Sequence, residues 1–199
     1  MTSAGLRSGN LGRWFEQLCR IRCETLREIT VSTGTRIASK YLPHSGGVYA
    51  FWWTGPVDVL KDGTVRSIVL HGPGGRKVPL EFDDEWLGLS TGLPVPLYAG
   101  KTASSVAKRI GQHLRLNHIR MLEPEEGAEK RKAPPTSCQL RAGIEHIFPH
   151  KRDTRTLILD NVGLSYVILD GDEHAAHRFY LENLAIGMMH PPFNVDIER

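Results

Sequence analysis

Five side-chain types with the means to move protons or hold phosphate recur along this chain at suggestive spacings. Gly47-Val48-Tyr49 and Tyr98-Ala99-Gly100 each set a phenol beside a glycine. The second runs into a basic stretch in which Arg109 and His113 stand four residues apart. On a helix that spacing puts a guanidinium and an imidazole on one face, about one turn apart. Glu182 falls among Ala175, Phe179, Ile186 and Met189. A carboxylate on an apolar helical stripe is costly unless it is paired or bound to a metal. Asn194 closes His190-Pro-Pro-Phe-Asn, where the prolines fix much of the backbone. Together the types suit acid–base chemistry on an anionic substrate.

Each residue also has a plain structural reading. Tyr49 and Tyr98 are strand residues that could pack a core. Arg109 and His113 could form a solvated helix face, Glu182 could pair with Arg178 one turn earlier, and Asn194 could cap the Pro-Pro turn. His146 and His150 are separated by Pro149, which argues against a shared face, while His174 and His177 are three apart on a helix. Gly72-Pro-Gly-Gly75 lacks the Lys-Ser/Thr of a phosphate-binding loop. The 129–132 run, EKRK, is either a phosphate contact or a solvated loop. Trp52 and Trp53 are read as packing the sheet in preference to stacking on bases.

The elements that must position these residues follow from periodicity. Leu11, Trp14, Phe15, Leu18, Ile21, Leu26 and Ile29 predict an amphipathic helix over 11–30, carrying Cys19 and Cys23 as packing residues. GGVYAFWW predicts a strand with Tyr49, Phe51 and Trp53 on one face. Residues 54–94 are rich in Gly, Pro and Asp and suggest a hairpin or a loosely structured insertion. Val95–Gly100 predicts a second strand, followed by a helix capped by Thr102 or Ser104 and running to about Asn117. Its buried stripe is Val106, Ile110 and Leu114. Residues 118–136 read as a charged, proline-terminated loop, and Cys138–Phe148 suits a helix. Leu157–Leu159 and Leu164–Leu169 suggest strands around an Asp-Asn-Val-Gly turn. Asp170 is expected to cap a last helix ending near Met188, with Glu173 three residues on.

With 199 residues, 40% hydrophobic and 24% charged, the chain is large enough to bury a core without disulfides. Its three cysteines cannot build a disulfide framework or a four-cysteine zinc site. There is neither an apolar run of membrane-spanning length nor a hydrophobic leader segment, so the expected compartment is cytoplasmic and no membrane is expected as a partner. The net charge of +3 is unevenly distributed: residues 101–155 carry +6 and residues 156–199 carry −5. A basic middle and an acidic end suit a site that binds a polyanion and holds a cation, although two solvated faces would give the same numbers.

In order and spacing, these residues resemble the GIY-YIG nuclease superfamily. The counterparts are GVY at 47–49, YAG at 98–100, Arg109, His113, Glu182 and Asn194 in HPPFN. Val and Ala replace the middle isoleucines, 48 residues separate Tyr49 from Tyr98, and the step from YAG to Arg109 is one residue longer than the usual pattern. GVYAFWWTG with a long insertion before LYAGK is most similar to the small GIY-YIG type II restriction endonucleases.

The resemblance implies an α/β sandwich with a small, mainly antiparallel sheet flanked by helices. Residues 1–45 would be an N-terminal helical extension, and 46–199 a nuclease domain with insertions at about 54–94 and 118–155. It also implies metal-dependent hydrolysis of DNA phosphodiesters, restriction-like and sequence-specific, by a homodimer or transient dimer. By that analogy Glu182 holds Mg²⁺ or Mn²⁺, Arg109 clamps the phosphate, Tyr49 is the general base or orients the water, and Tyr98 positions water or phosphate. His113 bonds Tyr49 or relays its proton, Asn194 braces the site, and Lys101 is a candidate activator. The alternatives are a structure-specific or mobile-element nuclease acting on single-stranded or branched DNA, and a non-catalytic nucleic-acid-binding module; RNA stays open as a substrate.

Overall fold

In a computed structural model, the described residues are 8–31, 41–63, 67–71, 77–81, 83–84, 94–114, 139–151 and 153–194. The charged segment 118–136 with its EKRK run and the glycine cluster at 72–75 lie outside them.

At the centre is β1 (Gly47–Trp53), whose seven residues are all buried. A strand covered on both faces needs apolar residues at every position, and GVYAFWW supplies them. It is flanked antiparallel by β4 (Val95–Thr102) and β5 (Val162–Ile168) in the order β4-β1-β5. In this register Tyr49 pairs with Gly100 on one side and with Tyr166 on the other, and Phe51 pairs with Tyr98. A bulge follows Phe51. A separate hairpin, β2 (Ser67–His71) with β3 (Lys77–Glu81), follows a short helix α2 (Val57–Lys61) between β1 and the next sheet strand.

Strand alternation divides the core in two. One face presents Tyr49, Phe51, Trp53, Tyr98 and Leu164 to α3 (Val106–Leu114), α4 (Gln139–Ile147) and α5 (Thr154–Asn161). The opposite face presents Val48, Ala50, Trp52, Ala99 and Val167 to α1 (Ser8–Leu18) and α6 (Ala175–Met189). Each large side chain so enclosed contributes roughly 1.5–3 kcal/mol of burial free energy. The fold is therefore mixed α/β, with a small three-stranded antiparallel sheet between helices. Trp52 and Trp53 pack inside it. Trp52 donates its indole N–H to Ser165 Oγ at 2.8 Å, and Trp53 stacks on Phe148.

Several local expectations are corrected. The first helix stops at Leu18 instead of running to residue 30. Beyond it, the backbone N–H groups of Arg22 and Cys23 bond to Leu164 O, and residues Leu26–Ile29 form a 3₁₀ turn. Cys19 and Cys23 thus do not share a helix; Cys23 is buried and its thiol donates to Thr25 O. Leu157–Leu159 is helical, within α5, because Asp153 caps that segment by accepting from the Thr156 N–H. Ser105, not Thr102 or Ser104, accepts from Lys108 N–H in the first turn of α3. Asp170 does not cap α6 with its side chain; its carboxylate accepts from Gly46 N–H at 2.8 Å and ties the entrance of β1 to the exit of β5.

Candidate active site

The two phenols share a face of the sheet because Tyr49 and Tyr98 lie on paired strands, offset by two residues in register. Their ring centroids are 6.3 Å apart. Gly100 makes this possible: a Cβ there would stand 2.7 Å from Tyr49 Oη and 2.8 Å from Tyr98 Cε1. Gly47 is required for a related reason, since its missing side chain would meet Val167 O and Val106.

Helix α3 lays His113 on these rings. His113 is fully buried, its Nε2 is 2.7 Å from Tyr49 Oη, and its ring lies 4.7 Å from that of Tyr98 and 5.6 Å from that of Phe51. One turn earlier on the same helix, the guanidinium of Arg109 lies beside both phenols. It also donates to Gln112 Oε1 at 3.4 Å. The phenol oxygens therefore have a cationic donor, and the proton of Tyr49 is best directed to Nε2 of His113. Nδ1 of His113 has no hydrogen-bond partner among the described residues.

Electrostatics follow from enclosure. Burial is the largest influence on Tyr49 and pushes its pKa well above the ordinary tyrosine value; the neighbouring Tyr98 adds to this, and Arg109 opposes it. Tyr98 shifts the same way, again mainly through burial. Burial, helped by the Arg109 charge, lowers His113 from 6.5 to about 3. The pair at neutral pH is a phenol and a neutral imidazole.

Glu182 reaches the same place from the other layer. Its carboxylate is close enough to raise the pKa of both tyrosines. It forms an ion pair with Lys101, whose ammonium also lies 5.4 Å from the centroid of Phe179. The expected stripe on α6 is corrected: Arg178, Leu181 and Ala185 are its buried residues, while Ala175 and Phe179 are exposed. Glu182 sits at the margin of that buried face with its side chain 16% exposed. Pairing of Glu182 with Arg178 is not observed, for Arg178 donates to the carbonyls of Leu169 and Gly171.

Asn194 grips the backbone between Tyr98 and Gly100. Its Oδ1 accepts from Ala99 N–H at 2.6 Å and its Nδ2 donates to Ala99 O at 2.7 Å. The side-chain amide thereby acts as a short substitute strand on the open edge of β4. The left-handed residue His190 (φ 47°) ends α6 and lets the Pro-Pro turn carry Asn194 back to the sheet.

All six residues singled out, together with Lys101, thus meet around one end of β1 and β4. Sequence spacing alone does not mark Phe51, Gln112, Tyr166 and Phe179 as neighbours of the site. Tyr166 was accessible from the alternation of β5; the others depend on register and helix rotation. For a divalent cation the fitting donor is the partly exposed Glu182, a hard oxygen ligand already paired with Lys101. No group of three or more His, Cys, Asp or Glu side chains poised for a metal occurs among the described residues. No described helix is long and apolar enough to cross a membrane.

Compared with protein-family models, curated proteins and solved structures, the chain matches none of them.

Proposed function

We propose that this chain is a metal-dependent endonuclease of GIY-YIG type that hydrolyses phosphodiester bonds in DNA. The observation that supports this most is the meeting of Tyr49, Tyr98, Arg109 and His113 beside the carboxylate of Glu182. A structural core has no need of a guanidinium, two phenols, an imidazole and an acid in one place. Perturbed groups gathered from several elements are typical of active sites.

In this reading Arg109 binds the scissile phosphate through its fork of donors. Tyr98 positions the phosphate or the attacking water. The water's oxygen bonds to phosphorus while its proton passes to Tyr49 Oη, and Tyr49 passes its own proton to His113 Nε2. The bond to the 3′ oxygen breaks, and that oxygen takes a proton from solvent. A phosphate on Arg109 offsets one of the two influences that depress His113, which raises the imidazole's basicity when substrate is bound. Glu182 would hold Mg²⁺ or Mn²⁺, which when bound supplies positive charge against the phosphate and the departing oxygen. Lys101 keeps that carboxylate paired. Asn194 and Gly100 hold the strand on which Tyr98 is mounted.

A restriction-like role on duplex DNA is the preferred subclass. Cutting both strands with one such site per chain requires two copies, hence a homodimer or transient dimer. The test is the chemistry of the cut. A duplex incubated with the protein and Mg²⁺ in isotopically labelled water is expected to yield 3′-hydroxyl ends and 5′-phosphates carrying the label. Labelled ends that appear equally with Glu182→Ala would defeat the assignment of Glu182.

A further inference from the structure

The N-terminal segment carries a second cationic feature, remote in sequence from the tyrosine cluster. Arg13, Glu16, Gln17, Arg20 and Arg22 line a cavity of about 320 Å³. That volume is at the low end of the range of roughly 300–1,000 Å³ typical of ligand clefts. All three arginines are exposed. Neither an ion pair nor a hydrogen bond ties their guanidinium groups to any described residue. Arg27, by contrast, is paired with Asp160. Glu16 is the one acid in the lining, which leaves a net of two positive charges. Three guanidinium groups around one cavity, with a single carboxylate among them, repel one another, and an anion relieves that repulsion.

The position of Arg22 indicates which anion. Its guanidinium lies over the ring of Tyr166, 4.7 Å from the centroid. Tyr166 is the direct cross-strand partner of Tyr49, so the two share a face of the sheet. The row Gly100, Tyr49, Tyr166 thus runs across β4, β1 and β5 and ends under Arg22. Adjacent strands are about 4.8 Å apart. The arginine cavity therefore begins within a few strand spacings of the candidate active site. A small isolated anion could fill the cavity alone, whereas a polyanion that reaches the tyrosine cluster carries further phosphates at this distance and can engage both places.

We infer that Arg13, Arg20 and Arg22 form a docking site for the sugar–phosphate backbone of the nucleic acid that the tyrosine cluster acts on, away from the scissile bond. This rests on the nuclease reading for the identity of the polyanion. The contact reads charge rather than sequence, because guanidinium–phosphate pairs position a duplex without inspecting its bases.

The experiment is fluorescence anisotropy of a labelled random-sequence duplex with the full chain in EDTA, over a potassium chloride series. Arg13→Ala/Arg20→Ala/Arg22→Ala is expected to weaken binding on the order of tenfold or more, and to flatten the dependence of log affinity on log salt by about two to three. Arg13→Glu/Arg20→Glu, which leaves Arg22 on Tyr166, should weaken binding at least as much. Arg27→Ala should leave affinity unchanged. Plasmid nicking by wild type is followed separately. Nicking with unaltered affinity and salt slope in both arginine variants overturns the docking site and leaves the nuclease reading standing. Arginine-dependent binding without nicking does the reverse. Tight binding of pyrophosphate at the cavity, with duplex affinity indifferent to the arginines, would identify a small-anion site and also overturn the proposal.

Discussion

Tyr49 and His113, contributed by the central strand and the helix that crosses it, are joined by a 2.7 Å hydrogen bond in a fully buried setting. Neither group is charged at neutral pH; the imidazole Nε2 has the phenol as its partner, and the phenol oxygen also faces the Arg109 guanidinium. That bond gives one proton a path between the phenol and the imidazole, and Arg109 with the phenol of Tyr98 completes the surroundings.

That enclosure has a measurable consequence for acid stability. His113 binds a proton less readily in the folded chain than in the unfolded one, its pKa being lowered from 6.5 to about 3. Its contribution to stability is full above about 6.5 and is lost as pH falls toward 3, because the unfolded chain then takes up a proton that the folded chain refuses. Urea unfolding of wild type and His113→Gln across that window should show the wild type losing a few kcal/mol more than the variant, on an order-of-magnitude scale. Parallel curves for the two would show that the imidazole is not held neutral.

Gly100→Ala tests the packing of the phenols. The added methyl would stand 2.7 Å from Tyr49 Oη and 2.8 Å from Tyr98 Cε1, so both rings must move. Activity is expected to fall on the order of a hundredfold, in line with the cost of a misplacement near 1 Å. Thermal melting should show the chain still folded. Retained nicking would indicate that ring position is unimportant.

Asn194→Ala removes two hydrogen bonds and leaves the N–H and C=O of Ala99 without a protein partner on the open edge of β4. A loss of about 1–3 kcal/mol in unfolding free energy is expected. Asn194→Asp should restore one contact, since a carboxylate accepts from the N–H but cannot donate to the carbonyl. Its stability should therefore fall between the other two.

Much of this arrangement was legible in the sequence, because the chemistry-bearing residues sit at element positions that hydrophobic periodicity reveals. GVYAFWW reads as a buried strand, and the step from Arg109 to His113 reads as one helical turn. Where the reading failed, long-range contacts decided the outcome. The first helix ends at Leu18 because Arg22 and Cys23 bond to β5, a partner remote in sequence. Asp170 has the composition of a cap, yet Gly46 N–H claims its carboxylate. Spacing puts Glu182 in the middle of an apolar stripe, whereas rotation of α6 turns Arg178, Leu181 and Ala185 inward and leaves the acid at the rim beside Lys101. Periodicity gives spacing around a helix but not the angle at which the helix is docked.

The ion pair of Lys101 with Glu182 makes a further prediction. Lys101 is 39% exposed, so its loss should alter stability little. Lys101→Met removes a positive charge from the one carboxylate proposed to hold a divalent cation. The Mg²⁺ concentration that raises the melting temperature halfway to its limit should fall severalfold. A requirement for more Mg²⁺ would mean that Lys101 assists the cation instead of competing with it.

The central claim is that the tyrosine cluster and Glu182 form one phosphodiester-cutting site. Nicking of supercoiled plasmid in Mg²⁺ tests it most directly, with wild type compared against Tyr49→Phe, Arg109→Ala and Glu182→Ala, each shown to be folded by thermal melting. Wild type should convert the plasmid to open-circular or linear form, and each variant should be slower by on the order of a hundredfold or more. Cutting by Glu182→Ala at the wild-type rate, or a wild-type chain that leaves the plasmid intact with both Mg²⁺ and Mn²⁺, would contradict the account.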